Sequence, residues 1–300
     1  MPVSCEKPSL KKRPSPPEQF RQRTLGRAIS ATGTALFSGE KVTIRLCPLK
    51  ENSGIVFERV DLPHRPKLPA LLDFVQGTPR CTVIGNGADS VQTVEHLLSA
   101  LNAYGIDNLL IEISGGEVPI FDGSSLHFCN MIDEAGVVEL NANKKIYALK
   151  SPVFWSQGEI HLIALPSEEF RISYTLHYPH SSTIGTQFYS FVLDQERFKQ
   201  EVAPSRTFSV YEEIAPMIEK GLVKGGSLEN AVIIKENAVV NPEGLRFPDE
   251  MGRHKVLDLI GDLSLVPVLV LAHVIAVRSG HASNIAFAKE LYNHIKSEIE

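Results

Sequence analysis

Cysteine, long apolar runs and a secretory leader are all scarce or missing in this chain. Only four cysteines occur among 300 residues, and none stands in a C-x-x-C pair. This argues against a disulfide framework and a thiolate zinc site, and it fits a reducing cytoplasm. The longest apolar stretch, residues 266–277, is too short to span a bilayer, so we expect at most peripheral membrane contact. No apolar segment follows the first basic residues, and we expect no secretory signal.

The chain also lacks an excess of basic charge. Thirty Lys and Arg face 35 Asp and Glu, and seven of the basic residues fall within the first 30 positions. The remaining, acidic part would repel a phosphate backbone, so we predict that the protein does not bind nucleic acid. Residues 1–21 are rich in proline and poor in apolar side chains, which predicts a disordered extension.

Strand and helix patterns alternate in both halves of the remaining sequence. Residues 41–49 alternate as a half-buried strand, whereas residues 93–105 change to helical spacing and end on Gly105. Residues 141–145 are polar and typical of a turn, so we place there the boundary between domains 22–142 and 143–300. The mixture in each half predicts two α+β domains of antiparallel strands and a few helices. The letters show no internal repeat.

The segment RHKVLDLIGD contains residue types that suit a metal site. On a helix His254 and Asp258 share one face, and Asp262 lies one step further along it. An imidazole and a carboxylate at this spacing can hold one Zn²⁺ between them. For this fragment alone, a solvated helix face is the competing interpretation.

Glu95 and His96 stand near the start of the helix predicted over residues 93–105. Neighbouring helical residues point about 100° apart, so one side chain can ligate a metal while the other faces the substrate as a general base. The simpler alternative is that His96 packs at the helix end while Glu95 stabilises the helix dipole.

His281 follows Gly280 at the junction of a buried strand and a helix. There it can act as a general acid or electrostatic stabiliser, oriented by a carboxylate such as Asp262, or it can simply cap the helix. Together, the three segments hold two histidines and an aspartate as ligands, with a further glutamate and histidine beside them. This set is typical of a catalytic zinc site with an open fourth position, although no H-E-x-x-H motif is present.

Motifs spread over the chain carry a resemblance to one enzyme family. They are, in order, QRTL, ATGTALFSGEKVTIRL, TVEHLLSAL, GIDNLLIEI, PIFDGSS, SRTF, GGSLENAVI, GLRFPDE, RHKVLDLIGDL and SGHASN. From Gln22 to Ile295 the sequence resembles UDP-3-O-acyl-N-acetylglucosamine deacetylases, the zinc amidases that commit bacteria to lipid A synthesis. The resemblance implies release of acetate from this nucleotide sugar.

The resemblance also implies roles for individual residues. His96, His254 and Asp258 would bind zinc, although a His₂Asp site also accepts Fe²⁺ in the cell. Glu95 would be the general base that activates water.

The remaining implied roles concern the substrate. His281, with Asp262 hydrogen-bonded behind it, would stabilise the oxyanion and protonate the leaving amine, and Thr207 would bond the oxygen of the tetrahedral intermediate. Three further residues would lie along the UDP-sugar site: Phe208, Lys255 and Arg278.

The family fold implied is two α+β domains, each a layered β-α-α-β unit, with the active site between them. An insert near residues 209–241 would cover the acyl chain, and its apolar side chains suit that role or ordinary core packing: Val210, Ile214, Met217, Ile218, Leu222 and Val223. A monomer in the bacterial cytoplasm is expected, with at most peripheral contact with the inner membrane.

Some positions depart from the family pattern. Phe37 stands where relatives often carry a histidine, and residues 175–179 read TLHYP in place of the more usual DFNHP. The stretch WSQGEIHL lacks a lysine found in some relatives, and His127 replaces a common proline. These departures keep a second hypothesis open, a non-catalytic protein that binds a nucleotide sugar or acyl chain on the same fold. A zinc amidase acting on another acylated sugar is a further rival.

Overall fold

A computed structural model of the chain describes residues 20–299, which form mixed α+β structure. The elements of the first half are β1 (Arg21–Leu25), β2 (Ile29–Thr34), β3 (Lys41–Pro48), β4 (Ile55–Arg59), β5 (Lys67–Pro69), a 3₁₀ turn (Leu72–Phe74), β6 (Val75–Gly77), β7 (Val83–Asn86), β8 (Asp89–Gln92), α1 (Glu95–Ala103), β9 (Leu109–Ile113), α2 (Leu126–Ala135) and β10 (Val137–Asn143).

The second half has a similar mixture. Its elements are β11 (Ile146–Ala148), β12 (Val153–Gln157), β13 (Ile160–Pro166), β14 (Arg171–Tyr178), β15 (Gly185–Val192), α3 (Gln195–Arg197), a π-helical turn (Phe198–Val202), β16 (Phe208–Val210), α4 (Tyr211–Glu219), β17 (Val232–Lys235), β18 (Ala238–Val239), α5 (Glu250–Leu263), β19 (Leu269–Val277) and α6 (His281–Ile299).

The two halves share one topology that the letters of the sequence do not show. The first sheet has the order β2-β3-β9-β4-β5 and the second β12-β13-β19-β14-β15, with β11 added beside β19. In each, the central strand is antiparallel to one neighbour and parallel to the other. A helix precedes each central strand and another follows it. The parallel pairs differ from the antiparallel strands that the sequence pattern suggested.

The helices lie between the two sheets. Helix α2 contacts β2, whereas α5 contacts β14 and β15 and α6 contacts β12 and β13. Helices α1 and α5 contact each other across the middle. The layers are therefore sheet, helices, helices and sheet, and each half supplies one sheet and its helices.

The local sequence explains the elements that surround the helix layer. Val42, Ile44 and Leu46 of β3 are buried, with exposed residues alternating between them. Gly105, with φ +64°, follows the end of α1 and adopts a conformation that favours glycine.

Residues 208–239 form a separate small unit, the insert, which overlaps the predicted range of about 209–241 and begins one residue before it. Strands β16, β17 and β18 make its three-stranded sheet, and α4 follows β16. Its backbone is tied to the first half, because the N–H of Lys224 donates to Phe37 O at 3.2 Å and that of Gly225 to Leu36 O at 3.0 Å. A Cβ at position 225 would lie 2.0 Å from Ala35 O, so this approach requires glycine.

The predicted turn and the predicted extension both end at different residues from the elements of the structure. The turn predicted over residues 141–145 was wrong for its first three residues, because β10 continues to Asn143, which pairs with Arg21 of β1. The predicted disordered extension, residues 1–21, lies outside the described residues except at its end, where Arg21 already belongs to β1. Within residues 20–299, no helix is both long and apolar enough to cross a membrane.

Candidate active site

The site lies where α1 meets α5. Gly261 of α5 faces the backbone of Glu95 so closely that a Cβ there would lie 2.2 Å from Glu95 O. Glu95 and His96 are the first two residues of α1, and His254 and Asp258 lie in the middle of α5. Contact between the two helices therefore brings these four buried side chains together.

Three of the predicted residues form a cluster with metal-binding geometry. His96, His254 and Asp258 each offer a ligand atom, and these atoms lie within 4.8 Å of one another. Nε2 of His254 is 3.3 Å from Asp258 Oδ1, and Nε2 of His96 is 3.7 Å from the same oxygen. The i, i+4 pair follows from helix geometry, whereas His96 is added by the contact between helices.

Hydrogen bonds orient these donors. Nδ1 of His254 donates to Ser205 O at 3.0 Å, so the lone pair of Nε2 points toward the cluster. Lys255 Nζ donates to Oδ2 of Asp258 at 2.8 Å, while Oδ1 is buried without a hydrogen-bond partner among the described residues. A buried carboxylate oxygen of this kind is costly unless something binds it.

The charge states also suit a metal ion. Burial lowers the pKa of His96 to about 3 and lowers that of His254, so both imidazoles are neutral near pH 7. Burial opposes ionisation of Asp258, but His254 and the Lys255 ammonium hold the pKa of this carboxyl well below its usual range. Two neutral imidazoles and a carboxylate are a donor set that Zn²⁺ accepts, and three ligands leave a fourth position free.

Glu95 lies beside this cluster but does not join it. Its Oε2 accepts a hydrogen bond from the N–H of Thr82 at 3.0 Å, and Oε1 is 3.6 Å from Nε2 of His281. Burial raises the pKa of Glu95 to about 7, which is the range that a general base needs.

His281 is the first residue of α6, and Asp262 of α5 orients it. Nδ1 of the imidazole donates to Asp262 Oδ2 at 2.9 Å, which turns Nε2 toward Glu95 and Asp258. Burial alone would lower the pKa of His281, but the carboxylates of Asp262, Glu95 and Asp258 outweigh it and raise the pKa to about 10. His281 is therefore a cation near pH 7.

A cavity of about 1220 Å³ extends from this cluster to the insert. One end is lined by Glu95, His254 and His281, together with their neighbours. Further apolar lining comes from five of the six insert residues singled out above: Val210, Ile214, Met217, Ile218 and Val223. Leu222 is not part of the lining and is half exposed.

The other predicted substrate residues also line the cavity. Thr207 is held by backbone hydrogen bonds, because its N–H donates to Gly123 O and its carbonyl accepts from Val232, both at 2.8 Å. The ring of Phe208 lies 6.4 Å from that of His254. Nη1 of Arg278 is 2.8 Å from Oε2 of the exposed Glu159.

Lys255 and the departures from the family pattern have definite places as well. The ammonium of Lys255 donates its hydrogen bond to Asp258 and lies 5.6 Å from the ring centroid of Phe208. Phe37 and four of the TLHYP positions, residues 176–179, line the cavity. His127 stacks on Phe121 with 3.7 Å between ring centroids.

Sequence reasoning missed several residues that support the site. Thr82 contacts both Glu95 and Asp262, yet it lies in a loop and carries no motif. Arg206, next to the carbonyl that holds His254, is fully buried and paired with Glu250 at 2.9 Å. The motif SRTF, which contains Arg206, points to this residue only through the family resemblance.

Comparison with known proteins supports the same family. A model of the family described as UDP-3-O-acyl N-acetylglycosamine deacetylase matches residues 22–293. A Chlamydia pneumoniae protein named UDP-3-O-acyl-N-acetylglucosamine deacetylase is 49% identical over 271 residues, which cover 90% of this chain and 96% of that protein. Proteins of the same name from Chlamydia felis and from Chlamydia trachomatis serovar L2 are each 46% identical, covering 92% and 93% of this chain and 98% and 97% of theirs. The chain therefore belongs to the UDP-3-O-acyl N-acetylglycosamine deacetylase family of amide-hydrolysing enzymes.

Proposed function

We propose that this protein hydrolyses the N-acetyl group of UDP-3-O-acyl-N-acetylglucosamine and releases acetate, as a step in lipid A synthesis. The observation that supports this best is the convergence of a His₂Asp donor set, a buried glutamate and a buried histidine at the cavity. This is the set of groups that metal-assisted amide hydrolysis requires.

We propose His96, His254 and Asp258 as the ligands of a Zn²⁺ ion, or of Fe²⁺ in the cell. The neutral imidazoles, the hydrogen bond that orients His254 and the unpartnered Oδ1 of Asp258 support this assignment. When bound, the metal would supply Lewis acidity toward the amide carbonyl and toward water.

The other groups divide the proton transfers between them. Glu95, with Oε2 fixed by the N–H of Thr82, is placed to take a proton from the attacking water. His281 carries its proton at Nε2 on the cavity side, and it would stabilise the developing oxyanion and then protonate the leaving amine. Asp262 keeps the other nitrogen protonated and fixes the ring. Thr207 would donate a further hydrogen bond to the oxyanion.

The lining of the cavity suggests where the acyl chain and the UDP-sugar would bind. We assign the acyl chain to the part of the cavity formed by the insert, because the insert lines it with the apolar side chains named above. We place the UDP-sugar along Phe208, Lys255 and Arg278. Arg278 would exchange its exposed partner Glu159 for the diphosphate, since that pair is accessible to solvent. We further propose a cytoplasmic monomer with at most peripheral contact with the inner membrane.

One set of assays tests this proposal. Zinc-loaded wild-type protein is expected to release acetate from UDP-3-O-acyl-N-acetylglucosamine, and UDP-N-acetylglucosamine, which lacks the acyl chain, is expected to react far more slowly. Glu95→Gln should retain zinc but lose about 10²–10⁴-fold in turnover. Glu134→Gln, which changes a surface carboxylate paired with Arg27, is the matched control and should behave as wild type.

The ligand assignment has its own measurement. His254→Ala and Asp258→Ala should both lose zinc when challenged with a chelator, because each removes one of three ligands. Full zinc retention in both variants would contradict the metal site. Substrate binding by wild-type protein without any acetate release would favour the non-catalytic binding protein instead.

A further inference from the structure

A buried threonine connects the two sides of the candidate active site. Thr82 precedes β7 and is fully buried. Its backbone N–H donates to Oε2 of Glu95 at 3.0 Å, and its hydroxyl donates to Oδ1 of Asp262 at 2.6 Å. One residue of the first half therefore contacts the proposed base and the carboxylate behind the proposed acid.

The hydroxyl completes the hydrogen bonding of a carboxylate without access to solvent. Asp262 has three donors among the described residues: the Thr82 hydroxyl on Oδ1, and His281 Nδ1 and Asn284 Nδ2 on Oδ2, the latter two at 2.9 Å. Without the threonine hydroxyl, Oδ1 would be a buried acceptor with no partner in this part of the structure. A buried charged group left unsatisfied rotates or admits water, and either change moves its other hydrogen bonds.

The geometry around His281 transmits such a change to the reaction. The ring is held through Nδ1 by Asp262, and Thr82 Oγ1 lies 3.4 Å from the same nitrogen. Nε2, on the opposite side of the ring, is 3.6 Å from Glu95 Oε1. A tilt of the Asp262 carboxylate therefore displaces Nε2 of His281. The side chains of His254 and Asp258 keep their own hydrogen bonds, with Ser205 and Lys255.

We propose that Thr82 is a positioning residue for the deacetylation, and that its hydroxyl acts through Asp262 to aim His281 while its N–H holds Glu95. The inference rests on the proposed function. It concerns a residue that touches neither substrate nor metal, so its effect belongs in kcat and not in KM or in metal content.

Thr82→Val and Thr82→Ser separate the hydroxyl from the shape of the side chain. Valine keeps the volume and removes the hydroxyl, so kcat should fall about 10–100-fold with KM changed by less than about threefold, since misplacement of a catalytic group by about 1 Å costs up to 10²-fold. Serine keeps the hydroxyl and should retain kcat within about threefold. Thr24→Val is the matched control, because Thr24 is also buried and donates to a backbone carbonyl, that of Asn108, at 2.6 Å. It should leave kcat unchanged.

Two further measurements distinguish positioning from general support of the fold. In an Asp262→Asn background, adding Thr82→Val should lower kcat little further, because the two residues act on one path. In metal-free protein with ¹⁵N-labelled histidine, Thr82→Val should shift the imidazole signals of His281 and leave those of His96 and His254 in place.

The outcomes are distinct. Wild-type kcat in Thr82→Val, fully additive losses in the double variant, or equal losses in Thr24→Val would each overturn the inference. If Thr82→Val does not fold, Thr82→Ser decides, because a folded serine variant with a tenfold loss would show that the methyl group and not the hydroxyl is needed. No acetate release from wild type would instead contradict the proposed function itself.

Discussion

The contact between Gly261 and Glu95 allows a sharp test of how the site is assembled. In Gly261→Ala the new Cβ would lie 2.2 Å from Glu95 O, 2.8 Å from its carbonyl carbon and 3.0 Å from its Cα. All three are backbone atoms at the start of α1, so no flexible side chain can move aside. Since carbon atoms make contact at about 3.5–4.0 Å, α1 and α5 must separate locally by about 1 Å.

The expected effects on stability and on activity differ in size. Overpacking costs about 1–3 kcal/mol, and replacement of a helical glycine by alanine offsets about 1 kcal/mol of that. The protein should therefore fold with a melting temperature lowered by only a few degrees. Displacement of Glu95 by about 1 Å relative to His254 and Asp258 should lower kcat about 100-fold.

The assay compares Gly261→Ala with Gly252→Ala on the same helix. A Cβ at position 252 would meet only the side chain of Gln187, 3.2 Å from Oε1 and 3.3 Å from Cβ, and a shift of a few tenths of an ångström relieves these contacts. Gly252→Ala should therefore keep kcat within about twofold, because the propensity change is the same but no backbone is moved. Acetate release and thermal unfolding are measured for both. Wild-type kcat in a folded Gly261→Ala protein would refute the inference that this contact sets the distance between the proposed base, Glu95, and the proposed ligands His254 and Asp258.

Two more predictions concern charge. The pH profile of kcat/KM should be bell-shaped. The rate should rise as Glu95 loses its proton, at or below about pH 7, and fall as His281 loses its proton, at or below about pH 10, since a bound cation lowers both pKa values. His281→Gln should lack the falling limb, and a limb that persists in this variant would show that another group causes it. Arg206→Met should lower the free energy of unfolding in urea by about 3–5 kcal/mol, because it leaves Glu250 as an unpaired buried charge. Arg27→Met breaks an exposed ion pair with Glu134, and a loss of stability in Arg206→Met below that in Arg27→Met would contradict this prediction.

Local geometry explains why part of the site was predictable. The i, i+4 spacing of His254 and Asp258 fixes their separation on any helix, so their pairing follows from the letters. The bond from Lys255 to Asp258 follows equally from i, i+3 spacing. His96 and His281 reach the cluster only through contacts between distant elements, and no periodicity encodes those.

In the fold, too, local elements were predictable from the sequence and their arrangement was not. Alternating apolar side chains predicted β3, which buries one face, and helical spacing over residues 93–105 predicted α1, which the structure places at Glu95–Ala103. The shared topology of the halves was invisible, since it is a matter of strand order and direction and not of letters. The polar side chains of residues 141–143 favour a turn, but an edge strand with exposed faces accepts polar side chains when a partner such as β1 is present.

The backbone hydrogen bonds from Lys224 and Gly225 to the loop of Leu36 and Phe37 have a consequence for ligand exchange. They fasten the wall that we assign to the acyl chain to the opposite half of the molecule. Parting the halves to admit a lipid would rupture both bonds and expose the glycine contact at Ala35. A long-chain substrate should therefore enter the cavity while the two halves stay joined.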